Sequence, residues 1–134
     1  MKVIIAGSRH IDSYYYVRST IEHSPFFYKI QEVVSGGARG VDIFGEHWAV
    51  TNRIAFKRFP ANWALHGKAA GPIRNKQMGE YADAAILIWD GESAGTKNML
   101  DTMIRLKKPY FLEAPYDAYT ETYRPYSEGS KQIF

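Results

Sequence analysis

A chain of 134 residues suits one domain that buries roughly two thirds of its unfolded surface, and 46% hydrophobic with 23% charged residues is an ordinary globular composition. The absence of cysteine excludes disulfides, thiolate metal sites and a cysteine nucleophile. Seventeen Lys and Arg against fourteen Asp and Glu leave a net charge of +3, too mild to indicate a nucleic-acid partner by itself.

The chain opens on Lys2 to Ala6, an apolar run rich in β-branched residues that ends at Gly7-Ser8-Arg9 and reads as a buried strand followed by a turn. It is too short for a leader or a membrane span, so the expected protein is cytoplasmic with no membrane partner. Asp12 or Ser13 can cap a helix in which Tyr14, Val17 and Ile21 share a face, and Ser24-Pro25 stops it. Ile30 to Val34 reads as a second strand. It feeds a tight turn on Gly36 and Gly37 and a helix with Val41, Phe44 and Trp48 at helical spacing, running to about Asn52. Ile54 to Phe59 alternates as a half-covered edge strand would.

Pro60 to Gly71 reads as an irregular loop carrying Trp63, His66, Gly67 and Lys68. Pro72 then opens a short helix with Arg74 and Asn75 in its first turn and Met78, Tyr81 and Ala82 on its packing side. Ala84 to Trp89 is an almost continuous apolar run, the pattern of a central strand covered on both faces. After Asp90-Gly91-Glu92-Ser93-Ala94-Gly95-Thr96, Ser93 or Thr96 can cap a helix with Met99, Leu100, Met103 and Ile104 inside. Lys107 and Lys108 suit the negative end of that helix, Pro109 ends it, and Tyr110 to Leu112 make a last strand.

The alternation β-α-β-α-β-loop-α-β-α-β predicts an α/β three-layer sandwich around a parallel sheet of strand order 3-2-1-4-5. The direction of winding reverses between strands one and four, and ligands of such sheets bind there, outside the carboxyl ends of the strands. Gly7 to Arg9, Ser35 to Asp42 and Asp90 to Thr96 all follow strand carboxyl ends and are expected at one mouth. Residues 1–114 form the predicted domain. Residues 115–134, dense in Tyr, are expected to pack on the body or on a partner subunit.

Both Gly-rich loops offer backbone N–H groups at a helix start, where the dipole favours an anion. Asp42 suits either a ribose hydroxyl or the bracing of its own loop and of Arg39. Arg74, a cation in a first turn, asks for an anionic partner; with Lys68 nearby that is a ligand, or else an ion pair with Glu80, Asp83 or Asp90. The four His show no metal spacing, Ser8 and Ser35 lack a nucleophile elbow, and neither a Walker loop nor a dinucleotide fingerprint occurs. No metal or cofactor is called for.

GSR, VVSGGARGVDIFGEHWA, FPANW, GKAAGPIRNKQM, YADAAILIWDGESAGT and KKPY, in that order, together resemble the YspA-like branch of the SLOG superfamily. That group is named for the DNA-processing protein DprA (Smf) and the LOG phosphoribohydrolases. The resemblance spans residues 1 to about 112 and implies a Rossmann-like domain that binds a nucleotide or nucleotide-derived ligand, such as a phosphorylated nucleoside or an ADP-ribose- or NAD-like molecule. It implies Gly7, Ser8 and Arg9 in the first loop and Gly36, Gly37, Arg39, Gly40 and Asp42 in the second. Arg74 and Asn75 would stand at the helix start, and Asp90, Gly91, Ser93, Gly95 and Thr96 in the phosphate loop. Arg74 matches the arginine of LOG active sites. The catalytic Glu of those enzymes falls on Met99 here, which leaves Arg74, Asp42 and Asp90 as catalytic candidates, with Glu46 and Glu92 as further carboxylates. The expected role is that of a sensor or sequestering protein, with nucleotide hydrolysis and single-stranded DNA binding as alternatives. Self-association is expected by resemblance.

Overall fold

The computed structural model describes residues 1–114 and, beyond them, the strands Tyr116–Asp117, Thr122–Tyr123 and Lys131–Ile133. The tail expectation for residues 115–134 otherwise lies outside the described residues. In chain order the elements are β1 (Lys2–Gly7), α1 (Tyr14–His23), β2 (Glu32–Ser35), α2 (Val41–Thr51), β3 (Ala55–Arg58), α3 (Trp63–His66), α4 (Ala70–Tyr81), β4 (Ala84–Ile88), α5 (Ala94–Arg105) and β5 (Tyr110–Glu113). The terminal strands are β6 (Tyr116–Asp117), β7 (Thr122–Tyr123) and β8 (Lys131–Ile133).

β1 to β5 form a parallel sheet in the order β3-β2-β1-β4-β5, the order expected from the sequence, with Ile4 beside Val34 on one side and Ala85 on the other. β8 pairs antiparallel with β5, and β6 with β7. Three residues are too few for alternation to announce β8. β1, β2, β4 and β5 are largely buried because their residues alternate between two cores, one on each face of the sheet. Val3, Ile5, Ile86 and Ile88 face α1 and α2 with Val17, Ile21 and Trp48. Ile4, Ala6, Ala85 and Leu87 face α4 and α5 with Met78, Met99 and Met103.

Ser13 caps α1 by accepting the N–H of Tyr16 at 3.1 Å, one of the two residues expected to do so. Four details depart from the sequence reading. β3 is exposed along its whole length rather than half covered, as the outermost strand of the sheet. Pro60 to Gly71 is not irregular throughout: α3 forms at Trp63 with Asn62 as its cap, and a 3₁₀ turn over Gly67–Ala69 runs directly into α4. Because Ala69 and Ala70 already have helical dihedrals, α4 starts two residues before Pro72, whose missing N–H falls among the first four that have no helical partner anyway. Ile104 is 52% exposed instead of internal, since the buried face of α5 runs along Met99, Thr102 and Met103.

Candidate functional site

The loops that leave β1 and β4 are fastened to each other. Ser8 is fully buried: its N–H donates to the carbonyl of Ile88, and its hydroxyl oxygen accepts the N–H of Asp90 at 3.0 Å. Asp90 in turn accepts the N–H groups of Glu92 and Ser93, both at 2.8 Å, with Oδ1. Burial pushes the Asp90 carboxyl up, but those two amides, the Ser8 hydroxyl and nearby His10 outweigh it and hold the group below the usual carboxylate range. Ser8 and Asp90 therefore shape the loops and do not line the cleft described below.

The β2 loop is braced from below and behind. Ser35 donates to Glu46 at 2.6 Å and accepts the N–H of Gly37, while Arg58 grips the same Glu46 carboxylate with two nitrogens at 2.5 and 2.9 Å. Glu46 is thereby committed to structure. Gly40, at φ 81°, passes so close to the β1 loop that an added Cβ would stand 2.8 Å from the carbonyl oxygens of Ser8 and Arg9. Asp42 is buried and accepts from the N–H groups of Gly7 (3.3 Å) and Ala38 (3.4 Å), so it joins the first two loops. Desolvation raises its pKa to about 6, against the opposing pull of the Ala38 and Gly7 amides and of Arg74.

Arg74 stands at the centre. It is the fifth residue of α4, so the structure corrects its placement, and that of Asn75, from the first turn to the second. Its Nη1 donates to the carbonyls of Gly36 (2.7 Å) and Phe59 (3.4 Å), and its Nε to Oδ1 of Asn75 (3.0 Å). The expected ion pairs with Glu80, Asp83 or Asp90 do not form; Arg74 makes no salt bridge among the described residues. Burial lowers its pKa, Asp42 opposes that, and Arg9 adds to it. A Cβ at 36 would lie 2.6 Å from Nη1 of Arg74 and 2.8 Å from Oδ2 of Asp42, so a larger residue there would have to displace both side chains. Asn75, also buried, donates to Gly95 O (3.2 Å) and Asn98 Oδ1 (3.0 Å), tying Arg74 to the start of α5.

Around Arg74 opens a cleft with two lobes. One, of about 420 Å³, lies between Gly7, Arg9, Lys68, Asn75 and the Ser93–Thr96 start of α5. The other, of about 560 Å³, lies over Gly36, Gly37 and Arg39. Arg9, Ala38, Trp63 and Arg74 line both. The structure thus brings together Gly7, Arg9, Gly36, Gly37, Arg39, Asp42, Lys68, Arg74, Asn75, Ser93, Gly95 and Thr96, while Ser8, Gly40, Asp90 and Gly91 do not line the cleft. Asp42 is the one acidic residue among the lining residues, set against four basic ones. Such an arrangement favours an anion. Met99, 1% exposed, borders the cleft where the LOG resemblance expects a carboxylate. Sequence reasoning left out Trp63 and Asn98. Trp63 was visible only as an aromatic in an apparent loop; the partnership of Asn98 with Asn75 spans two helices and had no local signal.

The family model of the YspA, cpYpsA-related SLOG proteins (YAcAr) matches residues 1–66. Gene 61 protein of Mycobacterium phage D29 is 36% identical in an alignment of 74 residues that covers 51% of this chain and 59% of the phage protein. Among solved structures, DprA of Streptococcus pneumoniae superposes with a TM-score of 0.67 at 17% identity, covering 83% of this chain and 49% of that one. DprA of Helicobacter pylori, described by its single-stranded DNA binding mode, gives a TM-score of 0.67 at 20% identity over 91% of this chain and 68% of its own. The chain therefore spans about half to two thirds of the proteins it matches, and the two structures share its fold. Residues 1–66 thus match the model of the YspA- and cpYpsA-related SLOG family, and the chain carries a Rossmann-like sheet of the same fold as DprA.

Proposed function

We propose that the cleft binds a nucleotide or nucleotide-derived anion and that the protein serves as a sensor or sequestering protein for it. The supporting observation is Arg74: a half-buried guanidinium hydrogen-bonded only by neutral partners, beside Arg9 and Lys68, with the single carboxyl of Asp42 nearby. Three cations facing one carboxyl in a partly desolvated cleft leave positive charge that an anionic ligand would offset. Calorimetry against AMP, ADP-ribose, NAD and GTP tests the reading. Arg74→Ala should weaken the best of these about tenfold to a hundredfold, the loss expected of one charge-assisted contact. No binding by wild type, or undiminished binding by the variant, overturns it.

Hydrolysis has less support, because Met99 is apolar and Asp42 is occupied by two backbone amides. Single-stranded DNA is a second reading, favoured by the half-exposed indole of Trp63 beside Arg9 and Arg39 and by the fold shared with the DNA-binding DprA of Helicobacter pylori. A gel shift with oligothymidylate at low salt decides it, absence of a complex counting against it.

A further inference from the structure

The two lobes of the cleft are not equivalent, and the difference narrows the ligand. Each contains a cation that the other lacks: Lys68 in the smaller lobe, Arg39 in the larger. Both are exposed, and neither makes a salt bridge among the described residues. Between the lobes stand the shared Arg9 and Arg74 and the 53% exposed indole of Trp63. Positive charge at both ends with an aromatic face at the junction is more than a single phosphate can use. A nucleoside 5′-monophosphate would place its anion in one lobe and its base near the indole, and the cation of the other lobe would stay unmatched.

We infer that the cleft takes a nucleoside phosphorylated on both its 5′ and 3′ oxygens, with one phosphate in each lobe and the base against Trp63. This rests on the nucleotide reading of the same cleft and specifies its substrate class. Each lobe alone falls within the size range of small-ligand sites, so each has room for a phosphate and its hydration with the sugar at the junction. Base–aromatic stacking tolerates any base, so the inference concerns the phosphates and leaves base identity to other contacts. The same doubly phosphorylated unit occurs free, as a nucleoside 3′,5′-bisphosphate, and inside a polynucleotide strand.

Calorimetry with adenosine 3′,5′-bisphosphate, 5′-AMP, 3′-AMP and a ten-residue oligodeoxyadenylate tests it. The bisphosphate should bind at least about tenfold more tightly than either monophosphate, one additional charge-assisted contact. Arg39→Ala and Lys68→Ala should each bring that ratio down to within about threefold of unity, whatever they do to the monophosphates. Tighter binding of the bisphosphate than of the oligonucleotide supports the inference with a free metabolite as the source; the reverse order, with the same dependence on Arg39 and Lys68, supports it with a strand as the source. Equal affinity for bisphosphate and 5′-AMP, or a ratio that survives both substitutions, overturns the inference and leaves nucleotide binding standing. No binding of any of the four probes overturns both.

Discussion

Asp42 carries a carboxyl where burial works against its charge, and the consequence can be read in pH. Its pKa rises from 3.8 to about 6 on folding, so the folded state prefers the protonated form. The stabilisation this gives is complete below a pH of about 4 and is lost as pH rises through about 6, a change of about 3 kcal/mol. Denaturant unfolding of wild type and of Asp42→Asn, which cannot titrate, should show the difference between them moving against wild type by about 3 kcal/mol from pH ~4 to pH ~7.5. A constant difference would dismiss the assignment. The sequence offered two roles for this residue, ribose contact or loop brace. The bonds from Gly7 and Ala38 realise a brace, although one that reaches across to the first loop and not to Arg39. Arg74 was legible as a cation in need of an explanation, but for a reason the helix start removes. What sets it apart is its inward placement among carbonyls, and that depends on Gly36 and Phe59, far from it in the chain.

Among the elements, α4 departs furthest from its sequence pattern, and both its ends show why. Proline is a strong start signal only when the preceding residues resist helix, and Ala69 and Ala70 do not. At the other end, Lys108 was expected to serve the helix just before it, α5. Instead its Nζ donates to the carbonyls of Gly79, Glu80 and Ala82 at 2.8 to 3.0 Å and closes α4. Helix C-termini leave carbonyls without internal partners, and which cation meets them is decided by packing, since α4 and α5 lie side by side. Lys108→Met keeps the length of the stem but removes all three bonds. It should lower unfolding stability by about 1 to 3 kcal/mol while leaving nucleotide affinity at the cleft unaltered; an unchanged denaturation midpoint would refute the capping role.

At the scale of the whole molecule, strand order and buried faces were legible because each is repeated many times along the chain, in alternation, in apolar runs and in the Gly-containing turns after strands. The mouth between β1 and β4 followed from that order alone. The division of the cleft into two lobes did not, since it depends on a four-residue helix placing Trp63 opposite loops that the sequence separates from it by more than twenty residues. One feature of that mouth reaches beyond equilibrium. Arg74 joins the exit of β2 at Gly36 to the exit of β3 at Phe59, and through Asn75 to the start of α5, by hydrogen bonds within the protein alone. In the proposed nucleotide reading, an arriving anion meets a guanidinium that these bonds already orient, so association has no ordering step to wait for. Variation in affinity among ligands should then lie in how long each one stays.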